Sequence, residues 1–162
     1  MSTTAAFVPV TPEQARRLRD GGDGADLGVL TAYASGPALR EAHGLDASDD
    51  EEAGFVALGY AGLAALVRHE GPRLVLAVDL DGAQASASGD DFGTVEAQAV
   101  RWHQVTALFG DEPDADADVA EARRLVAGRT LAEVADDEDV VGLADRWDLL
   151  WYAPEELDAA VR

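Results

Sequence analysis

Aspartates at alternate positions form the pattern in this chain that comes nearest to a metal-binding motif. Asp114, Asp116 and Asp118 have the spacing of the first half of an EF-hand loop, whose carboxylates bind Ca²⁺. Such a loop also needs Gly at its sixth position and Glu at its twelfth, and this chain has Val119 and Leu125 there. The motif therefore fails as an EF-hand. We interpret Asp118 as the cap of a following helix, where the helix dipole favours a carboxylate.

Three histidines, His43, His69 and His103, are the other side chains suited to metal or acid–base chemistry. None is paired with another histidine or with a carboxylate at helical ligand spacing, so a histidine metal site has little support. His103 follows Trp102 between two predicted strands, where Glu96 is positioned to face it across the turn. A general base is one interpretation of His103, and a surface or turn histidine is the favoured one.

Nucleophile, phosphate-binding and dinucleotide motifs are missing from the sequence. The glycines of Gly21-Gly22-Asp23-Gly24 and of Gly59-Tyr60-Ala61-Gly62 lack the strand–loop–helix context that phosphate-binding loops need. The absence of cysteine excludes a disulfide framework, a thiolate zinc site and a cysteine nucleophile. The carboxylates are too numerous to single out a catalytic pair. We therefore predict no catalytic, cofactor-binding or metal-binding residues, and the sequence leans away from an enzyme.

Aromatic residues near the C-terminus are the remaining chemical signal. Trp147, Trp151 and Tyr152 lie within six positions, and Arg146 directly precedes the first of them. Alternation along a strand would send Trp151 and Tyr152 to opposite faces, and an arginine beside a tryptophan favours a cation–π contact or an anion-binding corner. Packing in the core is the alternative role of such aromatics. The candidate binding residues are Trp151, Tyr152, Trp147 and Arg146.

The charge balance restricts the partners that this chain can hold. There are 32 acidic residues against 12 basic ones, which gives a net charge of −20, and every basic residue is arginine. A field of that sign repels phosphate backbones and anionic lipids, so we expect no nucleic-acid or membrane partner and favour a basic or apolar protein. The absence of Lys, Ile and Asn is typical of a GC-rich genome. Salt adaptation, an acidic partner surface and drift all remain explanations of the acidity.

Two negative signals favour a cytoplasmic location. The longest apolar stretches are shorter than the roughly 20 residues that a membrane span needs. The first six residues lack the basic and apolar regions of a signal peptide.

Apolar periodicity and capping signals predict the elements that must position these side chains. Strands are expected at residues 6–10, 29–34, 74–78, 94–100, 104–109 and 149–152. Helices are expected after Thr11-Pro12 and after Pro37, in a largely buried segment that carries Phe55, Leu58, Leu63 and Leu66 on two adjacent stripes, at 119–126, within 131–143, and after Pro154. Loops are expected after Gly22 and at 81–91. Residues 1–162 are thus predicted to form a single α+β domain, with one mixed or mainly antiparallel sheet and helices packed on one side of it.

Several short blocks carry a resemblance to a known family. They are Phe7-Val8-Pro9, Leu30-Thr31-Ala32-Tyr33-Ala34, Pro37-Ala38-Leu39-Arg40, residues 49–52 and 73–79, and Asp148-Leu149-Leu150-Trp151-Tyr152. In this order they resemble a functionally uncharacterised family of small actinobacterial proteins, a domain of unknown function. The resemblance covers nearly the whole chain and implies no activity, cofactor or catalytic residue. The family usually has a Thr-Gln or similar polar pair after its Trp-Tyr pair, whereas Pro154 and Glu155 follow here.

Two function hypotheses follow. The first is a non-enzymatic interaction or regulatory module, whose acidic surface and Trp/Tyr patch hold a basic or apolar partner. The alternative is a small-ligand-binding or enzymatic domain with a pocket near Tyr33, Arg40, Trp102 and Trp151. A deep pocket with convergent polar groups would favour the alternative, and a flat acidic surface beside an exposed aromatic patch would favour the first.

Overall fold

The computed structural model describes residues 3–22 and 27–161, in which seven strands form one open sheet. Each neighbouring pair of strands is antiparallel, in the order β4-β5-β2-β1-β3-β6-β7. The strands are β1 Thr3–Pro9, β2 Leu30–Tyr33, β3 Leu74–Asp81, β4 Ala85–Ala87, β5 Thr94–Ala97, β6 Val105–Gly110 and β7 Leu150–Tyr152. The predicted α+β class with a mainly antiparallel sheet is confirmed. The loop predicted after Gly22 begins with residues 23–26, which lie outside the described residues.

Seven α-helices accompany the sheet in these two ranges. They are α1 Pro12–Asp20, α2 Pro37–Ala42, α3 Asp50–Arg68, α4 Asp116–Val126, α5 Leu131–Ala135, α6 Glu138–Asp145 and α7 Leu157–Ala160. The capping signal at α1 is realised, since the Gln14 amide donates to Thr11 Oγ1 at 3.1 Å and the Thr11 amide donates to Gln14 Oε1 at 2.9 Å. None of these described helices is long and apolar enough to cross a membrane.

Helices cover both faces of the sheet, so the prediction of helices on one side is wrong. On one face, Leu18 of α1 and Leu157 of α7 pack in a core that contains Leu76 of β3. On the other face, Ala61 and Ala64 of α3 pack on Val75. The continuous apolar run of β3 explains why both faces carry helices. Alternate residues of a strand point to opposite faces of the sheet, so an apolar run places side chains that must be buried on both faces.

A second layer of helices packs on the side of α3 away from the sheet. Leu63 and Leu66 of α3 share a core cluster with Val119 of α4, Val134 of α5 and Val140 of α6. Residues 131–143, for which one short helix and a loop were predicted, contain α5 and most of α6. α3 is therefore held between the sheet and a small helical layer.

The predicted burial of Phe55 on α3 is wrong, because its side chain is 70% exposed whereas Leu66 is 3% exposed. The helix packs instead through alanines at helical spacing, which include Ala53, Ala57 and Ala61. Small side chains let a helix lie close to the layer beneath it. Phe55 therefore lies off the packed face, at the solvent side of the first two turns.

Candidate functional site

A cleft opens between α3 and the segment that joins α6 to β7, and we call it the α3 cleft. Its volume is about 390 Å³, within the roughly 300–1,000 Å³ range of small-molecule sites. Its walls are mainly apolar, with a few polar groups among them. The lining residues are His43, Phe55, Val56, Leu58, Gly59, Tyr60, Gly62, Leu63, Arg73, Ala135, Val141, Ala144, Asp145, Trp147, Asp148 and Leu149.

One side of helix α3 forms one wall of the cleft. Phe55, Leu58, Gly59 and Gly62 occupy positions i, i+3, i+4 and i+7 and so lie on one side of the helix. The two glycines leave gaps between the side chains of that wall in the middle turns of α3. The open volume therefore follows from glycine at positions where a larger residue would fill it.

Arg73 lies at the base of the cleft and is paired with a buried carboxylate. Its Nη2 donates to Asp111 Oδ1 at 2.7 Å, and its Nε lies 3.1 Å from both carboxylate oxygens. The Arg73 backbone amide donates to Asp111 Oδ2 at 2.7 Å. Arg73 is only 5% exposed and the Asp111 side chain 0%. Leu74 of β3 pairs with Gly110 of β6. Arg73 and Asp111 are the next residues outward on each strand, so they face each other one position beyond the last paired residues.

The guanidinium of Arg73 also fixes the opposite wall of the cleft. Its Nη2 donates to the Trp147 backbone carbonyl at 2.9 Å. Its remaining nitrogen, Nη1, makes no hydrogen bond within residues 3–22 and 27–161. A methyl group added at Gly62 would lie 3.6 Å from Nη1 and 3.6 Å from Leu149 Cδ1. Since Gly62 and Leu149 both line the cleft, Nη1 faces it.

Carboxylates lie at the cleft and on the surface beside it. Asp145 and Asp148 line it and are exposed. Glu51 and Glu52 flank Phe55 on the adjoining surface. We call these four carboxylates the acidic rim: two of them line the apolar cleft, and two lie on the surface that adjoins it at Phe55.

His43 and Tyr60 form a polar pair at one end of the cleft. His43 Nε2 lies 2.8 Å from the Tyr60 hydroxyl, with which it shares a hydrogen bond. Tyr60 packs edge-on against Phe92 with ring centroids 5.0 Å apart. Burial, and next the carboxylates of Asp91 and Asp136, raise the pKa of the Tyr60 hydroxyl. This hydroxyl therefore stays neutral at physiological pH.

Two of the predicted binding residues, Trp147 and Arg146, share one carboxylate. The Trp147 indole N–H donates to Asp118 Oδ2 at 2.7 Å, and Arg146 Nη1 donates to the same oxygen at 3.0 Å. These hydrogen bonds, that of Trp147 first, lower the pKa of Asp118. The interpretation of Asp118 as a helix cap is wrong, because α4 begins at Asp116 with Ala115 at the cap position. Asp118 instead anchors the segment that carries Trp147 into the cleft wall.

The other two predicted binding residues, Trp151 and Tyr152, lie on opposite faces of the edge strand β7. Trp151 is opposite Phe109 and is 62% exposed. Tyr152 is opposite Leu108 and packs, half-buried, on the core beneath α1 and α7. Phe109 and Leu149 both belong to the core on the α3 face. Trp151 therefore lies on the sheet face that α3 covers, and Tyr152 lies on the other face.

The structure does not bring together the four residues of the alternative pocket. Tyr33 is buried in β2, and Arg40 of α2 forms an ion pair with Asp50 at 2.7 Å. Trp102 packs beside the core on the α1 face, and Trp151 lies on the far edge strand. The four side chains contribute to separate parts of the molecule.

The histidines are likewise dispersed. His69 is half-buried with its Nε2 3.3 Å from the Pro9 carbonyl oxygen, and His103 is exposed. Across the described part of the chain, no group of three or more His, Asp or Glu side chains is placed to hold a metal ion.

Sequence reasoning missed Phe55, Arg73 and His43 as residues of the site. Phe55 fits the apolar stripe of a buried helix, and His43 has no partner nearby in sequence. Arg73 and Asp111 carry a weak signal, since each directly flanks an apolar strand segment. Their pairing becomes visible only with the register of β3 and β6.

The fold and the cleft define an α+β protein in which one open antiparallel sheet supports an apolar, acid-rimmed cavity. The chain belongs to the Family of unknown function (DUF6912), whose family model matches residues 4–161. No curated protein and no solved structure matches the chain significantly.

Proposed function

We propose that this protein is a non-enzymatic interaction module whose α3 cleft and acidic rim bind a basic, apolar segment of a protein partner. The observation that carries the proposal is Phe55, a large apolar side chain that is 70% exposed at the mouth of an apolar cleft. The GC-rich composition and the family resemblance favour an actinobacterial cytoplasm as the place where that partner occurs.

An apolar anchor on the partner fits the interior of the cleft. Its volume of about 390 Å³ accommodates a large side chain, and its walls include Leu58, Leu63 and Trp147. Binding energy at protein interfaces is concentrated in such anchors when surrounding residues exclude water. Phe55 would close over the anchor from the side of α3.

The acidic rim selects the charge of the partner. Asp145 and Asp148 lie on one side of the cleft mouth and Glu51 and Glu52 near the other. Lys or Arg residues that flank the apolar anchor would meet these carboxylates. The net charge of −20 would also accelerate the encounter with a basic partner, because long-range attraction raises association rates.

Trp151 extends the proposed surface beyond the cleft. It lies on the same face of the sheet as Leu149, a lining residue, and is 62% exposed. Trp147 belongs to the cleft wall, and Arg146 is held beside it through Asp118. The proposal therefore uses three of the four binding residues predicted from sequence: Trp151, Trp147 and Arg146.

The experiment is a tagged pull-down from an actinobacterial cytoplasmic extract, followed by binding of the purified partner measured by calorimetry. Phe55→Ala should abolish recovery of the partner, and Trp151→Ala should reduce it. Val29→Ala is the matched control, since Val29 is also a large exposed apolar residue, at 60%, and is not among the cleft residues.

A second experiment tests the contribution of the acidic rim to binding. Asp145→Arg with Asp148→Arg should weaken binding of the purified partner, and added salt should weaken binding to the wild type. A partner that binds Phe55→Ala and the rim variant as well as wild type would overturn the proposal. A small molecule retained by the purified protein in native mass spectrometry, and lost on Phe55→Ala, would favour the ligand-binding alternative instead.

A further inference from the structure

The buried guanidinium of Arg73 has donors that the fold does not use. A guanidinium carries five N–H groups. The Nε and Nη2 groups donate to Asp111 and to the Trp147 carbonyl. Within residues 3–22 and 27–161, nothing accepts a hydrogen bond from Nη1, although Arg73 is only 5% exposed.

Nη1 is accessible to solvent, since the buried side-chain atoms without a hydrogen-bond partner in the described residues do not include it, and a guanidinium N–H that is accessible and unpaired within the fold can donate to an acceptor on a ligand. The space in front of Nη1 is the α3 cleft, as Gly62 and Leu149 show: a methyl group built on Gly62 would touch both Nη1 and Leu149 Cδ1 at 3.6 Å. An acceptor that enters the cleft would therefore meet Nη1 at its base.

We infer that Arg73 is a specificity-determining residue of the α3 cleft, whose Nη1 donates to a neutral carbonyl oxygen on the apolar group that enters. The inference rests on the proposed function and specifies its partner. The anchor is an apolar group with an amide carbonyl beside it, as a Gln or Asn side chain or the main chain of a peptide supplies.

The acceptor is neutral because the charge of Arg73 is already matched. Asp111 holds the guanidinium through both carboxylate oxygens, and the cleft is also lined by Asp145 and Asp148. A carboxylate that entered would meet one guanidinium and three carboxylates. An amide oxygen gains the charge-assisted hydrogen bond without that repulsion.

The test uses three probes that share an apolar body: phenylpropanamide, phenylpropanoate and propylbenzene. Their dissociation constants are measured by NMR titration, followed through the Trp147 indole N–H and the Gly59 amide, both of which belong to cleft residues. The quantity compared between variants is the ratio of the propylbenzene constant to the phenylpropanamide constant.

Gly62→Ala is the informative variant. The new methyl group covers Nη1 at ordinary contact distance from it, and alanine is a better helix former than glycine, so the fold is retained. Gly54→Ala is the matched control on the same helix, since no atom lies within 4 Å of its added Cβ and it does not line the cleft.

Gly62→Ala should lower the ratio about tenfold, the size expected for loss of one hydrogen bond to a charged donor, and Gly54→Ala should leave it unchanged. Phenylpropanoate should bind more weakly than phenylpropanamide. The inference is overturned if the two glycine variants give the same ratio, if phenylpropanoate binds best, or if no probe shifts the cleft signals. The proposed function is tested separately, because the pull-down with the Phe55→Ala variant uses none of these probes.

Discussion

Arg73 and Asp111 form a buried ion pair that joins the start of β3 to the end of β6, with Nη2 and Oδ1 2.7 Å apart. The same guanidinium holds the Trp147 carbonyl. One ion pair therefore connects the adjoining ends of β3 and β6 to the wall of the α3 cleft. A substitution that breaks this ion pair should change both the stability of the fold and the shape of the cleft.

Asp111→Asn should lower the free energy of unfolding by about 3–5 kcal/mol, because a guanidinium would remain buried without its counter-charge. The asparagine keeps an oxygen for the Arg73 amide, so the loss reports mainly on charge. Urea unfolding measures it. Glu121→Gln is the control: it breaks the exposed pair between Glu121 and Arg124, and exposed pairs contribute roughly 0–1 kcal/mol. Equal losses in the free energy of unfolding would show that the buried ion pair contributes no more to stability than the exposed one.

Truncation of two apolar residues of α3 should change the free energy of unfolding by very different amounts. Leu66→Ala should lower the free energy of unfolding by about 2–5 kcal/mol, since Leu66 is 3% exposed in a packed cluster. Phe55→Ala should change it by less than about 0.5 kcal/mol, because its side chain is mostly in solvent. Thermal unfolding by circular dichroism compares the two variants. An unchanged midpoint for Leu66→Ala would contradict the assignment of α3 as a helix packed on both sides.

The elements that local signals specify could be predicted from sequence. Thr11 and Gln14 cap α1 through contacts three residues apart, and the apolar run of β3 marks a strand covered on both faces. Signals of this kind depend on neighbouring residues only. These local signals do not predict which other element will pack on the strand or helix.

The missed features depend on contacts between distant parts of the chain. Phe55 fits the pattern of a buried stripe, and its exposure follows from the choice of the alanine face of α3 as the packed one. Arg73 and Asp111 are 38 positions apart, and only the pairing of β3 with β6 brings them together. The alternation of Trp151 and Tyr152 was predictable, because it needs only a strand, whereas the α3 cleft forms only when α3 and α6 are both in place.

Acid should destabilise the fold partly through His69. Burial lowers the pKa of His69 below its ordinary value, with an added effect from Arg123 and then Arg68, while the hydrogen bond with the Pro9 carbonyl opposes the shift. The unfolded chain therefore binds the proton more readily than the folded one. Stability from this group is present above about pH 6.5 and is lost as the pH falls through the lower folded pKa.

His69→Gln removes that contribution, so between pH 7.5 and 5, roughly one unit either side of the ordinary histidine pKa, it should lose less stability than wild type. His103→Gln, which changes an exposed histidine, is the control and should follow wild type. Urea unfolding at several pH values measures the slopes. Parallel slopes in all three proteins would mean that the burial of His69 does not contribute to the acid response.

Monovalent salt should raise the melting temperature, because repulsion among carboxylates outweighs the exposed ion pairs that salt weakens. If each of the 12 basic residues neutralised one of the 32 acidic ones, 20 carboxylates would remain unmatched. Most of the rise should come below ~0.15 M, where the Debye length falls to about 8 Å. Asp79 and Asp81 lie two residues apart on the exposed side of β3, so Asp81→Asn should raise stability at low salt and reduce the response to salt. Differential scanning calorimetry in increasing NaCl measures both effects, and a melting temperature that stays constant or falls would show that the negative surface does not oppose folding.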